Sequence, residues 1–216
     1  MTGRCLLLWV ILLAGSGRAA PAAGEAGLRT HDLVVYGGTA GGVAHAVVAA
    51  REGLDVLLIS PVPHLGGLLS NGLTTMDTLY NGARAPFYDE VRRSIHDYYR
   101  DRYGADSEQF RRSLPGQPKA KVEAHVFERI MDRLVAAETR VTVMKSYYPV
   151  AADRAGPELR SVTFRDRSGP RTFTVSAAVF SDCSYEGDLL AVAKVPYRWG
   201  RESRDEFNEE HAGRIF

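Results

Sequence analysis

Short β-branched runs alternate with longer amphipathic stretches along most of the chain. Asp32-Leu33-Val34-Val35-Tyr36 predicts a strand that ends on Gly37-Gly38, and the Ala- and Val-rich stretch from Ala40 to Arg51 predicts a helix. Gly53 suits a left-handed helix cap, and Asp55-Val56-Leu57-Leu58-Ile59 is an apolar run too short for a helix, hence a second strand. Strand, helix and strand with short connections imply a right-handed βαβ unit and a parallel sheet. From Pro61 to Ala85 periodicity gives way to Gly, Asn, Thr and Leu, a long loop of the kind that carries function. Helical spacing returns at Pro86 to Arg102, through Phe87, Val91, Ile95 and Tyr98 or Tyr99, with Pro86 suited to the first turn. Ser107 to Lys119, with two prolines and little apolar content, reads as an exposed linker. A further helix is expected over Val122 to Glu138, through Val126, Phe127, Ile130, Met131 and Leu134, followed by a strand at Arg140 to Met144. Runs at Leu159 to Phe164, Thr172 to Val175 and Ala177 to Phe180 read as strands, the first two pairing across Ser168-Gly169-Pro170. The pattern is α/β: a parallel sheet with inserted helices and a small β-ribbon.

The first residues follow another logic. Arg4, the apolar run Cys5 to Ala14 and the small-residue stretch Gly15 to Gly24 have the three-part layout of a secretory signal peptide. The run is about 10 residues against the ~20 a membrane-spanning helix needs, so a retained anchor is the poorer reading and no stable membrane span is expected after cleavage. The expected organisation is a signal peptide over 1–22, a lead-in over 23–30 and one domain over 31–216 with a helical insertion at about 74–120. Such a protein is exported, periplasmic or extracellular. Cleavage after Ala20 or Ala22 removes Cys5 and leaves Cys183 alone, which excludes an internal disulfide; two cysteines in all also exclude a thiolate-rich zinc site, and no metal site is expected. With 27 Lys+Arg against 26 Asp+Glu, the chain lacks the basic surplus of a nucleic-acid partner.

Gly37-Gly38-Thr39-Ala40-Gly41-Gly42 lies between a predicted strand and a predicted helix, the context a dinucleotide fingerprint requires. Gly37 allows the sharp turn, Gly42 lets the helix approach the sheet, and the helix N-terminus offers N–H groups and a positive dipole end to a pyrophosphate. Thr39 replaces the middle glycine of the pattern, and its hydroxyl is itself a donor to phosphate. About 20 residues on, where an acidic residue normally binds ribose, stands Ser60, a neutral and weaker acceptor. Substituting Gly42 by Leu is expected to abolish cofactor binding with modest loss of stability.

Three stretches resemble the FAD-dependent oxidoreductases with a glutathione-reductase-type FAD domain, and among them an exported bacterial group: Asp32 to Gly42, His64-Leu65-Gly66-Gly67-Leu68-Leu69-Ser70-Asn71-Gly72-Leu73, and Phe180-Ser181-Asp182-Cys183-Ser184-Tyr185-Glu186-Gly187-Asp188-Leu189-Leu190-Ala191. Val195-Pro196-Tyr197 and Gly200-Arg201-Glu202 extend the third. The resemblance implies a Rossmann-like FAD/NAD(P)-binding fold with FAD as cofactor. It places Gly37, Gly38, Thr39, Ala40, Gly41 and Gly42 around the pyrophosphate, and Ser60 where relatives bind ribose through a Glu. Gly66, Gly67 and Leu68 fall beside the ribityl chain and flavin, and Tyr148 to Val150 near the adenine. Asp182, Glu186, Gly187 and Asp188 approach the cofactor from the strand end at Phe180. Read without the resemblance, Glu186-Gly187-Asp188 is a capped helix start.

The implied activity is hydride transfer between an organic substrate and FAD, with a small-molecule substrate and an electron acceptor left unnamed; no residue is assigned a catalytic role. Such enzymes also carry a later glycine-rich segment and a substrate domain, so the chain reads as an N-terminal portion. This keeps two rivals open, a non-catalytic FAD- or nucleotide-binding module and an NAD(P)-dependent Rossmann dehydrogenase. His64 is expected to be a polar loop residue, Cys183 a small hydrophobe after its strand, and Arg92-Arg93 and Arg111-Arg112 solvated.

Overall fold

The computed structural model describes residues 29–77, 83–113 and 119–213; the expected signal peptide lies outside them. Its centre is a six-stranded sheet. The first strand, β1 (Arg29–Tyr36), is flanked by β2 (Val56–Ser60), with β5 (Val141–Lys145) beyond it, and by β8 (Thr172–Asp182), with β7 (Glu158–Asp166) and β6 (Tyr147–Ala155) beyond that. The β1, β2, β5 and β8 strands run parallel, with Tyr36 opposite both Ile59 and Asp182, and Ser60 opposite Lys145. Their carboxyl ends therefore share one edge, where open α/β sheets bind ligands.

Alternation along the strands explains the layers. Leu33, Val35, Val56 and Leu58 face a helical layer; Val34, Tyr36, Leu57 and Ile59 face Val162, Phe164, Phe173 and Val175 of the β-ribbon. The helical layer is α1 (Ala40–Arg51), α2 (Pro86–Tyr103) and α4 (Ala124–Ala136). The α4 helix buries Val126, Phe127, Ile130, Met131, Leu134 and Val135, one stripe at helical spacing. Arg51, at the end of α1, bonds Glu90 on α2 through two nitrogens (2.7 and 3.0 Å) and Glu138 just after α4 (2.8 Å), tying the three helices together.

Several segments differ from the sequence-based expectation. Glu108–Ser113 is a short helix, α3, inside the expected linker: Ser107 Oγ accepts the Phe110 N–H, and the Phe110 ring stacks on His96 at 4.2 Å. Local capping and one aromatic contact outweigh the poor apolar content. The runs at Thr172 to Val175 and Ala177 to Phe180 are one strand, because Ser176 at the interruption stays in register with both Thr30 and Ser161. The long loop after β2 contains a 3-10 turn, Gly67–Ser70, and a strand β3 (Thr75–Asp77) that pairs antiparallel with β4 (Lys119–Lys121), closing the base of the α2–α3 excursion. Among the described residues, no helix is long and apolar enough to cross a membrane.

Candidate cofactor site

Three loops meet at the carboxyl edge: the turn between β1 and α1, the loop after β2, and the loop between β8 and α5 (Asp188–Val192). Gly37 makes the turn with φ +114°, and a Cβ there would sit 2.4 Å from the Cys183 carbonyl carbon. A Cβ on Gly42 would lie 1.9 Å from Gly37 O, so α1 packs against the turn only without a side chain. This corrects the expectation for Gly42→Leu: the substitution dislodges the turn itself and its stability loss is not modest. Gly38 packs on Ser60, and Gly66 on Phe127 and Met131. Gly41 is different. An added Cβ at this exposed residue would meet only Thr39 Oγ1, at 3.8 Å, so its missing side chain faces open space.

Thr39 caps α1, with its Oγ1 accepting the Gly42 N–H at 3.1 Å and donating to Cys183 O at 2.9 Å. One hydroxyl thus closes the helix start and fastens it to the β8–α5 loop. The first turn of α1 carries no acidic residue, so nothing there opposes the positive end of its dipole. Beside it lies a cleft of about 240 Å³ that gathers Gly37, Gly38, Thr39, Gly67, Leu68 and Glu186. Pro61, Val62, Asn71, Ser184 and Tyr185 line it as well. These five carried no assignment in the sequence, although Asn71, Ser184 and Tyr185 stand inside the motif stretches.

Other expected site residues are used differently. Ser60 is fully buried; its Oγ accepts the Val62 N–H (3.3 Å) and donates to His64 O (3.4 Å). The hydroxyl is spent on the loop and does not line the cleft, so the expected ribose contact is corrected to a turn-forming one. Asp182 accepts four hydrogen bonds: Ser184 N and Oγ on one oxygen, at 2.9 and 2.7 Å, and Leu189 N and Leu190 N on the other, at 2.9 and 3.1 Å. It organises the loop and the start of α5, and it borders an adjoining depression with Ser184, Tyr185 and Glu186. Gly187 stands at the N-cap of α5 with φ +73°; the helix-start reading gave the first-turn N–H groups to Glu186 or Asp188, whereas those of Leu189 and Leu190 go to Asp182.

Asp188 accepts the Tyr36 hydroxyl at 3.1 Å. Burial first, then the neighbouring Asp188, pushes the Tyr36 phenol far above its ordinary pKa. Asp188 also borders a second depression, of about 470 Å³, with Tyr148, Pro149 and Arg167. Val150, one residue further along β6, lines neither space, whereas its neighbours Tyr148 and Pro149 border the second depression. His64 Nδ1 lies 2.7 Å from Glu128 Oε1 on α4, away from the cleft.

A parallel sheet with a glycine turn, a capped helix start and a facing loop at its carboxyl edge defines a dinucleotide-binding protein of Rossmann type. The residues present fit the diphosphate of FAD: an open, neutral helix start at which Gly41 presents its backbone without a side chain. The model of the FAD dependent oxidoreductase family matches residues 32–216, and the chain belongs to that family; its cofactor is FAD. No curated protein matches the sequence. Among solved structures, the chain is similar to a geranylgeranyl bacteriochlorophyll reductase-like protein from Thermoplasma acidophilum (TM-score 0.54, 18% identity, covering 78% of this chain and 43% of that one). It is also similar to the flavin-dependent monooxygenase PieE, solved with FAD and substrate (0.53, 11%, 80% and 33%), and to p-nitrophenol 4-monooxygenase PnpA from Pseudomonas putida DLL-E4 (0.53, 10%, 82% and 47%). At these identities the likeness establishes the shared fold, and the chain spans less than half the length of each.

Proposed function

We propose that this chain is the cofactor-holding part of an oxidoreductase that transfers hydride between a small organic substrate and FAD. The diphosphate rests on the first turn of α1, formed by Thr39, Ala40 and Gly41. Gly67, Leu68 and Glu186 border the ribityl side, and Pro61 and Val62 take the place beside the ribose that Ser60 vacates. Bound FAD supplies the redox chemistry. The chain anchors the cofactor, aligns it through the Thr39–Cys183 tie and shields one side of it with the β8–α5 loop.

The observation that carries this reading is Gly41. It is the one glycine of the turn that no protein atom requires, and it stands at the helix start a diphosphate would occupy. The test is reconstitution of the 216-residue chain with FAD, followed by gel filtration and absorption spectroscopy. Flavin bands are expected to co-elute with the protein and to be lost in Gly41→Glu, which puts a side chain of the wrong charge at the helix start. Flavin retained by that variant would refute the placement. Anaerobic bleaching of the bound flavin by an organic donor would establish the redox role, and its absence across donor classes would favour a binding module. The Cys5–Ala14 segment supports export; N-terminal sequencing of the secreted protein is expected to begin at Pro21 or Ala23, and a retained Met1 would overturn this.

A further inference from the structure

Tyr185 joins two of the three loops across the cleft. From the β8–α5 loop its phenol oxygen accepts the Leu68 N–H, at 2.9 Å, on the far side. A Cβ on Gly67 would lie 2.1 Å from that oxygen, and Gly67 itself adopts φ +63°, so the phenol occupies space that only a glycine leaves free. The same missing Cβ would lie 3.2 Å from Thr39 Cα, which puts the phenol oxygen beside the N-cap of α1. Tyr185 as a whole is 58% exposed. A phenol has one proton to donate as well as lone pairs to accept with. Here the Leu68 N–H takes an acceptor site, and among the described residues no protein acceptor takes the proton.

We propose that Tyr185 is a cofactor-contacting residue, donating its O–H to a diphosphate oxygen of FAD while its lone pair keeps the Leu68 loop closed over the cleft. The inference rests on the placement of the diphosphate at the α1 N-terminus. A neutral donor suits this point: it adds a charge-assisted hydrogen bond to the attraction of the helix dipole.

The test is fluorescence titration of the apoprotein with FAD, joined to ³¹P NMR of the bound cofactor, for wild type, Tyr185→Phe and Gly41→Glu. Tyr185→Phe keeps the ring and is expected to weaken FAD roughly 10- to 100-fold, the range for a hydrogen bond to a charged group. It is also expected to move at least one of the two diphosphate resonances at saturating FAD. Unchanged affinity in Tyr185→Phe, alongside lost binding in Gly41→Glu, would overturn the inference and leave the placement standing. Weaker binding with both resonances unmoved would also overturn it, since the tyrosine would then act only through the Leu68 loop. FAD bound normally by Gly41→Glu, or not bound by wild type, would instead refute the underlying placement.

Discussion

The Thr39 hydroxyl stands where the middle glycine of a dinucleotide turn is usual, and its two hydrogen bonds show what the exchange supplies. Accepting from Gly42 N caps α1; donating to Cys183 O couples that cap to a loop 144 residues further on. Thr39→Val keeps the shape and removes both bonds, so it should destabilise the fold by about 1–2 kcal/mol and weaken FAD as the two loops part; urea unfolding and FAD titration measure the two effects separately. The turn glycines should divide sharply. With Gly37 O 1.9 Å from where its Cβ would be, Gly42→Ala should cost roughly 3 kcal/mol through overpacking against backbone. Gly41→Ala meets only Thr39 Oγ1, at an ordinary 3.8 Å, and should stay within about 0.5 kcal/mol of wild type. Equal losses in denaturant midpoint at the two positions would contradict the division of roles between packing and ligand approach.

At the scale of elements, the helical layer and the ribbon are held by different means. Arg51 binds Glu90 and Glu138 at a surface position 38% exposed, so solvent screens much of the attraction and Arg51→Ala should cost only about 1 kcal/mol, less at high salt. Thermal melts at low and high ionic strength test this, and a loss that salt does not change would point to packing of the side-chain stem instead. The turn from β7 to β8 depends on Asp166, whose carboxylate accepts Ser168 Oγ and N and faces Arg171 at 2.7 Å. Those bonds hold its pKa down to about 2, from 3.8. The folded state therefore prefers the ionised form, so the contribution is complete above about pH 4 and lost as pH falls towards about 2. Asp166→Asn should flatten stability over that window and leave its slope at higher pH alone. Elements with strong local signals were legible: α1 begins after its cap at Thr39 and ends before Gly53, as the pattern indicates. Hydrophobicity ended β2 at Ile59, yet Ser60 continues it, because the small hydroxyl packs under Gly38 and bonds its own loop. The loop-building role of Asp182 was not legible either: an aspartate after an apolar strand can bond a ligand or its own loop, and spacing along the chain does not choose between them.

For the whole molecule, the cofactor site and the stability of the fold are coupled. The cleft is made where the β1–α1 turn, the loop after β2 and the β8–α5 loop converge, and among the described residues the hydrogen bonds between them are three: Thr39 to Cys183, Leu68 to Tyr185, and the Gly66 N–H to Gly38 O at 2.8 Å. A ligand that touches all three loops binds the folded chain and has no counterpart site in the unfolded one. Saturation then stabilises by mass action, about 2.7 kcal/mol at a free concentration 100 times Kd, which for a chain of this size raises Tm by roughly 5–10 °C. FAD should produce that shift in wild type, and Gly41→Glu should show none at the same concentration while its cofactor-free Tm stays near that of wild type. Thr39→Val and Tyr185→Phe should fall between, since each loosens one of the three hydrogen bonds and leaves Gly41 without a side chain. A Tm rise of equal size in all four proteins would mean that FAD stabilises the chain from somewhere other than the edge where its parallel strands end.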